Sequence, residues 1–210
     1  ANWKSTDQIR ARAVGDGPLD RFGTVDPTDG GQSQRFSGSL EWQRSDADSV
    51  TRAVAYGLGY KLDLFSNFTY FLDDPIHGDQ FEQLDDRNAY GVKATHRWLA
   101  NWFGVPADNE VGVQGRYDDI HRIGLFHTSA RQRISTTRLD RVKQWNAALF
   151  FQNTMQWAAR FRTVLGVRGD YYHFDVTGIS DPENGGTASR GIFSPKLSAK
   201  SLERGDPKHR

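Results

Sequence analysis

The chain has 210 residues, with 27 Lys and Arg against 26 Asp and Glu, 21 glycines, no cysteine, and 6 Trp, 7 Tyr and 13 Phe. A formal charge of +1 gives no electrostatic ground for a nucleic-acid partner, and without cysteine there is no disulfide scaffold, thiolate metal site or cysteine nucleophile. No stretch approaches the roughly 18 apolar residues of a membrane-spanning helix, and 12% aromatics does not suit a disordered chain; what remains is a polar, glycine-rich β protein whose solvent the composition does not decide.

Residues 1–32 precede the first alternating run. Their start, Ala1 to Ile9, lacks an initiator Met and the basic and apolar regions of a signal peptide, so the chain reads as a piece of something larger. Strict alternation begins at Ser33 and marks strands with two chemically different faces. From Ser33 to Ser45, Phe36, Gly38, Leu40 and Trp42 alternate with Arg35, Ser37, Ser39 and Glu41. From Arg52, Val54, Tyr56, Leu58, Tyr60 and Leu62 alternate with Ala53, Ala55, Gly57, Gly59 and Lys61. From Asn88, Tyr90, Val92, Ala94 and Trp98 oppose Gly91, Lys93, Thr95 and Arg97. Beyond Glu110, Val111, Val113 and Tyr117 oppose Gln114, Arg116 and Asp118. Between Gln144 and Gln152 the apolar set is Trp145, Ala147, Leu149 and Phe151. Between Arg160 and Asp170, Phe161, Thr163, Leu165 and Val167 oppose Arg162 and Arg168. The last run sets Phe193, Pro195, Leu197 and Ala199 against Ser194, Lys196 and Ser198. The fold class that follows is all-β, an antiparallel up-and-down meander of about seven or eight long strands.

Connections alternate in length. Short ones fall at 46–50, 101–109 and 153–157, long ones at 66–82, 119–137 and 177–190. In a meander every second turn falls at the same end, so the long loops gather at one rim. Short turns at one end and long loops at the other describe an outer-membrane barrel. Strand length agrees, since the runs approach the roughly 9–11 residues of a tilted membrane strand and exceed the usual 5–6. Aromatics mark both strand ends: Trp42, Trp98, Trp102, Phe103, Phe150, Phe151 and Trp157 beside the short turns, and Phe65, Phe68, Tyr70, Phe71, Tyr117, Tyr171, Tyr172 and Phe174 beside the long loops. Two girdles at headgroup level have this form. Tyr56, Leu58, Val92, Ala94, Leu149 and Leu165 then share one lipid-facing surface. Arg35, Glu41, Lys61, Lys93, Arg97, Arg116, Arg162, Arg168 and Asp170 line a polar lumen.

Few constellations suggest chemistry. The acidic loop with Asp73, Asp74, His77, Asp79, Glu82, Asp85 and Asp86 is a candidate extracellular ligand loop, centred on Asp73, Asp74, His77 and Asp79. It lacks the ligand spacing of an EF-hand, and solvation of an outer loop explains it better than a metal does. His96, His121, His127 and His173 are scattered without a metal-binding pair. Asp118 and Asp119 beside Arg116 and His121 fit a hydrogen-bond network as well as an acid–base group. No nucleophile elbow, P-loop or dinucleotide fingerprint is present, so no enzyme activity, cofactor or metal is expected. Asn67-Phe68-Thr69 matches a glycosylation sequon by coincidence.

Several segments resemble TonB-dependent outer-membrane receptors. The strongest is LFSNFTYFLDDPIHGDQFEQLDDR from Leu64, a strand rising into a long external loop and returning. RFGTVDPTDGGQSQRFS from Arg21, GRYDDI from Gly115, FFQN from Phe150, RTVLGVRGDYYHFDV from Arg162 and SPKLS from Ser194 follow in the family's order. The resemblance implies a partial barrel over 1–200, with 1–32 as an extracellular-side connection, 33–200 as strands and loops, and 201–210 as a charged tail departing from the family. It also implies a 22-stranded barrel around an N-terminal plug, of which this chain holds neither the plug nor the remaining strands. The intact protein would sit in the outer membrane of a Gram-negative bacterium, surrounded by lipid. It would bind a nutrient such as a ferric siderophore and import it with energy passed by TonB through the plug; without a plug, the piece alone would not transport. Two other readings compete: a porin-like or small closed outer-membrane barrel, and a soluble carbohydrate-binding β protein.

Overall fold

The computed structural model describes residues 1–5, 11, 14, 17 and 19–201. The expected charged tail lies outside the described residues except for Ser201. The described residues form one antiparallel sheet of eight strands in chain order: β1 (Asn2–Lys4), β2 (Gly30–Ser45), β3 (Ser49–Ser66), β4 (Phe81–Trp102), β5 (Val105–Ser129), β6 (Gln132–Ala158), β7 (Phe161–Gly178) and β8 (Gly186–Ser201). The meander is open, with β1 and β8 at its two edges. Seven of these strands are the alternating runs of the sequence. The eighth, β1, is three residues paired to Gly30–Gln32, too short to show a period.

Strands are longer than the alternation suggests. At about 3.3 Å per residue, the 27 residues of β6 extend on the order of 90 Å, well past a hydrocarbon core of about 30 Å. Two expected connections are therefore strand. The stretch 119–137, expected as a long loop, is the top of the β5–β6 hairpin, which turns on Ala130 and Arg131 alone, both left-handed at φ 48° and 66°. Likewise 153–157 is strand, and 177–190 shrinks to a short 3₁₀ turn at Pro182–Asn184. Register shifts at Ile120/Ile123, Leu125/Phe126 and His127/Thr128 break the period within 119–137. The long loop between β3 and β4, residues 67–80, stands as expected. The β4–β5 reversal uses Phe103 and Gly104, at φ 55° and 78°, the pair of positive φ values that matches strand twist in a two-residue turn.

Directly opposed residues on antiparallel strands point to the same side, so the register decides which sets share a face. Phe36 and Leu40 of β2 pair with Gly59 and Ala55 of β3, and Ala55 and Ala53 pair with Val92 and Ala94 of β4. The row continues through Val113 and Leu149 to Gly169 and Phe193. This apolar face carries Phe36, Leu40, Val92, Val113, Leu149, Phe193 and Leu197, each at least half exposed.

The register corrects the sequence reading of β3. Tyr56 and Leu58 do not join Val92, Ala94, Leu149 and Leu165; they pair with Ser39 and Ser37 and with Gly91 and Ala89 on the polar face. Lys61 correspondingly lies on the other side, beside Asp86 at 3.5 Å. The reason is space. The Tyr56 ring covers Gly91 so closely that a Cβ there would collide with it, and Ala53, Ala55 and Gly57 leave room outside, where Tyr90 packs over Gly57. Alternation within one strand reveals two sets, but only cross-strand partners say which faces out.

The girdles are corrected in the same way. Tyr90, Tyr117, Trp145 and His173 form one register row on the apolar face, with Trp145 and Tyr171 centroids 5.4 Å apart. Trp98 and Phe151, 6.3 Å apart, mark the same face nearer the short turns. The strand from Tyr90 to Trp98 is on the order of 26 Å long at about 3.3 Å per residue, close to the roughly 25 Å apolar band of such barrels. Phe150, Tyr172 and Phe174 instead pair with Arg168, Asn146 and Gln144 on the polar face.

Candidate functional site

Two surfaces carry chemistry: the polar face and the loop end above it. Register places Arg35 and Glu41 of β2 opposite Tyr60 and Val54, and Lys93 and Arg97 of β4 opposite Gln114 and Glu110. Arg116 of β5 faces Asn146. Arg168 and Asp170 of β7 face Phe150 and Ala148, and Arg162 faces Gln156. The eight residues therefore share one side of the sheet. Most of the charges are paired: Arg52 with Glu41 at 2.7 Å, Arg116 with Asp118 at 2.7 Å, Arg168 with Asp170 at 2.8 Å, and Arg97 with Asp108. Among the described residues, Arg35, Lys93 and Arg162 form no ion pair. Lys93 instead lies 5.7 Å from the Phe150 ring, which the ion-paired Arg168 also approaches, at 5.9 Å. The Arg52–Glu41 and Arg97–Asp108 pairs are exposed and add little to stability, whereas the side chains of Asp118 and Asp170 are buried beneath their arginines.

The loop end is built differently. Gln80 is 1% exposed, and its amide is fully engaged. Its Nε2 donates to Thr28 Oγ1 at 2.7 Å and Asp29 Oδ1 at 3.0 Å, and its Oε1 accepts from Thr128 Oγ1 and the Arg131 backbone N–H. Asn67 donates its backbone N–H to Asp29 Oδ2 at 2.9 Å and its Nδ2 to Asp26 Oδ2 at 3.0 Å, while Oδ1 accepts from Tyr70 N–H. Arg131 closes the node by donating Nε to the Thr28 carbonyl at 2.5 Å, with its guanidinium 5.2 Å from the Phe65 ring. Burial opposes ionisation of Asp26, yet hydrogen bonds from Thr28 and Asn67 and the charge of Arg131 hold its pKa below the usual value. The node ties the segment before β2, the β3–β4 loop and the β5–β6 turn into one unit. Its donors and acceptors also offset the strain of left-handed Tyr70, Ala130 and Arg131.

The acidic loop uses its carboxylates on its own backbone. Asp79 accepts from the N–H groups of Leu72, Asp73 and Asp74 at 2.7–3.1 Å, and Asp74 accepts from Ile76 and His77, both at 2.9 Å. For Asp79, desolvation raises the pKa, but donors from Asp74, Thr69, Asp73 and Leu72 outweigh it and bring the pKa to about 2. His77 and Asp73 remain exposed beside them. Among the described residues no group of His, Asp and Glu has the geometry of a metal site. His96, His121, His127 and His173 bond locally to Thr51, Asn88, the Gly78 carbonyl and Ser189. Asp118 pairs with Arg116 while Asp119 pairs with Arg141 at 3.3 Å on the opposite face, which separates the apparent acid–base group. The sequon asparagine, Asn67, is 6% exposed and has no room for a glycan.

Sequence reasoning missed the node. Asn67 and Gln80 stood in the most informative segment, yet nothing in one chain ties them to Asp29 or Arg131, distant in sequence. It also missed Arg138 and Asp140, whose spacing repeats that of Arg116 with Asp118 and Arg168 with Asp170.

The chain matches a family model described as TonB dependent receptor-like, beta-barrel, over residues 2–201. No curated protein matches it in sequence. Among solved structures it is similar to the ferric citrate transporter FecA in its unliganded form, with TM-score 0.70 and 12% identity over 93% of this chain and 28% of that one. It is also similar to the open form of the ferric-catecholate import receptor Fiu from E. coli K12, with TM-score 0.55 and 12% identity over 93% of this chain and 36% of that one. At that identity the likeness is one of fold, and the chain spans well under half of either protein.

Proposed function

From the fact that the chain belongs to the TonB-dependent receptor-like β-barrel family, we propose that it forms part of the barrel wall of an outer-membrane receptor. The family is made of transporters and receptors found in the outer membrane of Gram-negative bacteria, and its members bind ligands and interact with TonB. In this reading the apolar face contacts lipid, and the polar face with Arg35, Glu41, Lys93, Arg97, Arg116, Arg162, Arg168 and Asp170 lines the lumen. The loop end faces outward, with the Asp73–Asp79 loop exposed to ligand. The nutrient is an iron chelate such as a ferric siderophore, and TonB acting on a plug domain elsewhere in the protein supplies the energy. The chemistry is binding and gated release, with no bond made or broken.

The supporting observation is the separation of faces across consecutive strands: exposed apolar side chains on one side, charged ones on the other. A soluble sheet would bury the apolar side. The unpaired cations Arg35, Lys93 and Arg162 favour an anionic chelate, since charges on a concave wall raise the local concentration of counter-ions.

Two measurements test this. The chain has no cysteine, so single cysteines report directly. In the whole receptor, Lys93→Cys is expected to react with a water-soluble maleimide and Val92→Cys to be shielded by lipid; equal labelling removes the lumen assignment. Uptake of radiolabelled ferric citrate and of a ferric catecholate is expected to require both the receptor and TonB. Uptake that persists without TonB removes the transport assignment.

A further inference from the structure

Four strands of the polar face carry an arginine and an aspartate two residues apart. Three of these pairs are complete forks. Arg116 donates Nε and Nη2 to the two oxygens of Asp118, both at 2.7 Å. Arg168 does the same to Asp170 at 2.9 and 2.8 Å, and Arg87 to Asp85. The fourth pair is one-armed. Arg138 gives Asp140 only its Nε, to Oδ2. Asp140 Oδ1 has no hydrogen-bond partner, although the residue is 3% exposed.

A buried carboxylate oxygen without a donor is costly, and one left so in a row of otherwise satisfied forks marks a group that some donor completes. Its surroundings indicate what that donor is attached to. Asp140 and Arg138 border an open hollow of about 570 Å³ whose wall includes Leu62, Ile123, Leu125, Val142 and Val176. That size lies within the roughly 300–1,000 Å³ of small-molecule sites, as does an apolar wall with few polar groups. Register places these residues on the polar face near the loop end, since Asp140 pairs with Gly178, the last residue of β7.

We propose that this hollow binds a small aliphatic ammonium group: the nitrogen donates to Asp140 Oδ1 and the alkyl chain covers the Leu62–Leu125 wall. A hydrogen-bond donor suits the site because Arg138 reaches only one of the two Asp140 oxygens, and an ammonium group brings three donors. A carboxylate brings no donor for that oxygen. The Arg138 side chain is 56% exposed, so little packing opposes its outward movement, and the ammonium group takes over its contact with the carboxylate. The site goes beyond the transport reading, because binding here needs neither a plug nor TonB.

The test titrates the complete receptor, purified in a maltoside detergent, with n-hexylammonium and with n-hexanoate by calorimetry. Saturable one-site binding of hexylammonium is expected, with none for hexanoate. Asp140→Asn is expected to weaken binding at least ten-fold, and Ile123→Trp, which fills the hollow and keeps the carboxylate, to abolish it. Absence of saturable hexylammonium binding overturns the proposal, as does equal binding of hexanoate. If Asp140→Asn does not fold, Ile123→Trp decides alone, and undiminished binding in that variant overturns it. Failure of iron uptake leaves this titration unaffected, so the two readings fail separately.

Discussion

At the turn end, β4 passes into β5 through Phe103 and Gly104, and the buried polar groups nearby are one amide pair, with Asn153 Nδ2 donating to Asn109 Oδ1 at 2.9 Å. At the loop end, Gln80, Asn67, Asp29, Asp26, Thr28, Thr128 and Arg131 form a network joining three segments far apart in sequence. The difference follows from what each end has to satisfy. A two-residue reversal leaves almost no backbone group without a ladder partner. The 67–80 loop leaves many, and buried side chains must replace the missing ladder. Between the two ends, the strands keep their polar side chains on one face, where water can satisfy them.

The largest expected effect lies in the loop-end node. Gln80→Leu leaves buried Thr128 and Asp29, and the Arg131 N–H beside them, each short of a partner, and at about 1–3 kcal/mol per buried unsatisfied group the two buried ones alone cost about 2–6 kcal/mol. Denaturant unfolding in detergent measures it, and protease nicking within 67–80 should rise with it. A loss as small as that of the amide pair would erase the contrast between the ends.

Next come the faces of β3. Ala55→Arg, on the apolar side, should cost about 2–4 kcal/mol near the membrane midplane, while Leu58→Arg on the polar side should cost under about 1 kcal/mol. The reverse order would restore the alternation read from the strand by itself and refute the register. At the turn end, Asn153→Leu removes the one donor reaching Asn109 Oδ1, and an expected cost of about 1–3 kcal/mol is read from the same unfolding curve.

The smallest effect is a pH response in the acidic loop. The pKa of Asp79 falls from 3.8 to about 2, so its support of the Leu72, Asp73 and Asp74 amides is complete above about pH 4 and lost as pH drops through about 2. Amide exchange, corrected for its intrinsic pH dependence, should keep these groups protected at pH 4 and release them near pH 2. A midpoint near 4 would mean that the backbone donors do not hold this carboxylate.

Much of the strand plan was legible because alternation is a local signal. Phe36 to Trp42, Tyr90 to Trp98 and Trp145 to Phe151 each show two chemically distinct sets within a few residues. From Asp119 to Thr137 three register shifts put Ile120, Ile123, Leu125 and Phe126 out of period, and strand reads as loop. In β3 the signal is present but points the wrong way, because Tyr56 and Leu58 are larger than the Ala and Gly residues that face outward. The node was illegible for a different reason: Gln80 and Arg131 gain meaning only when the chain brings Asp29 to them.

The linear pattern of residues specified an all-β meander with long strands, short turns at one end and a long loop at the other, because period, glycine and aromatic placement are written along the chain. It also separated the charged residues of six strands from their apolar neighbours. Which set of β3 joins which face, how far β5 and β6 extend, and the Asp140 oxygen left without a donor all come from the assembled sheet. Those facts depend on pairing between strands, and no single strand encodes the identity of its partner.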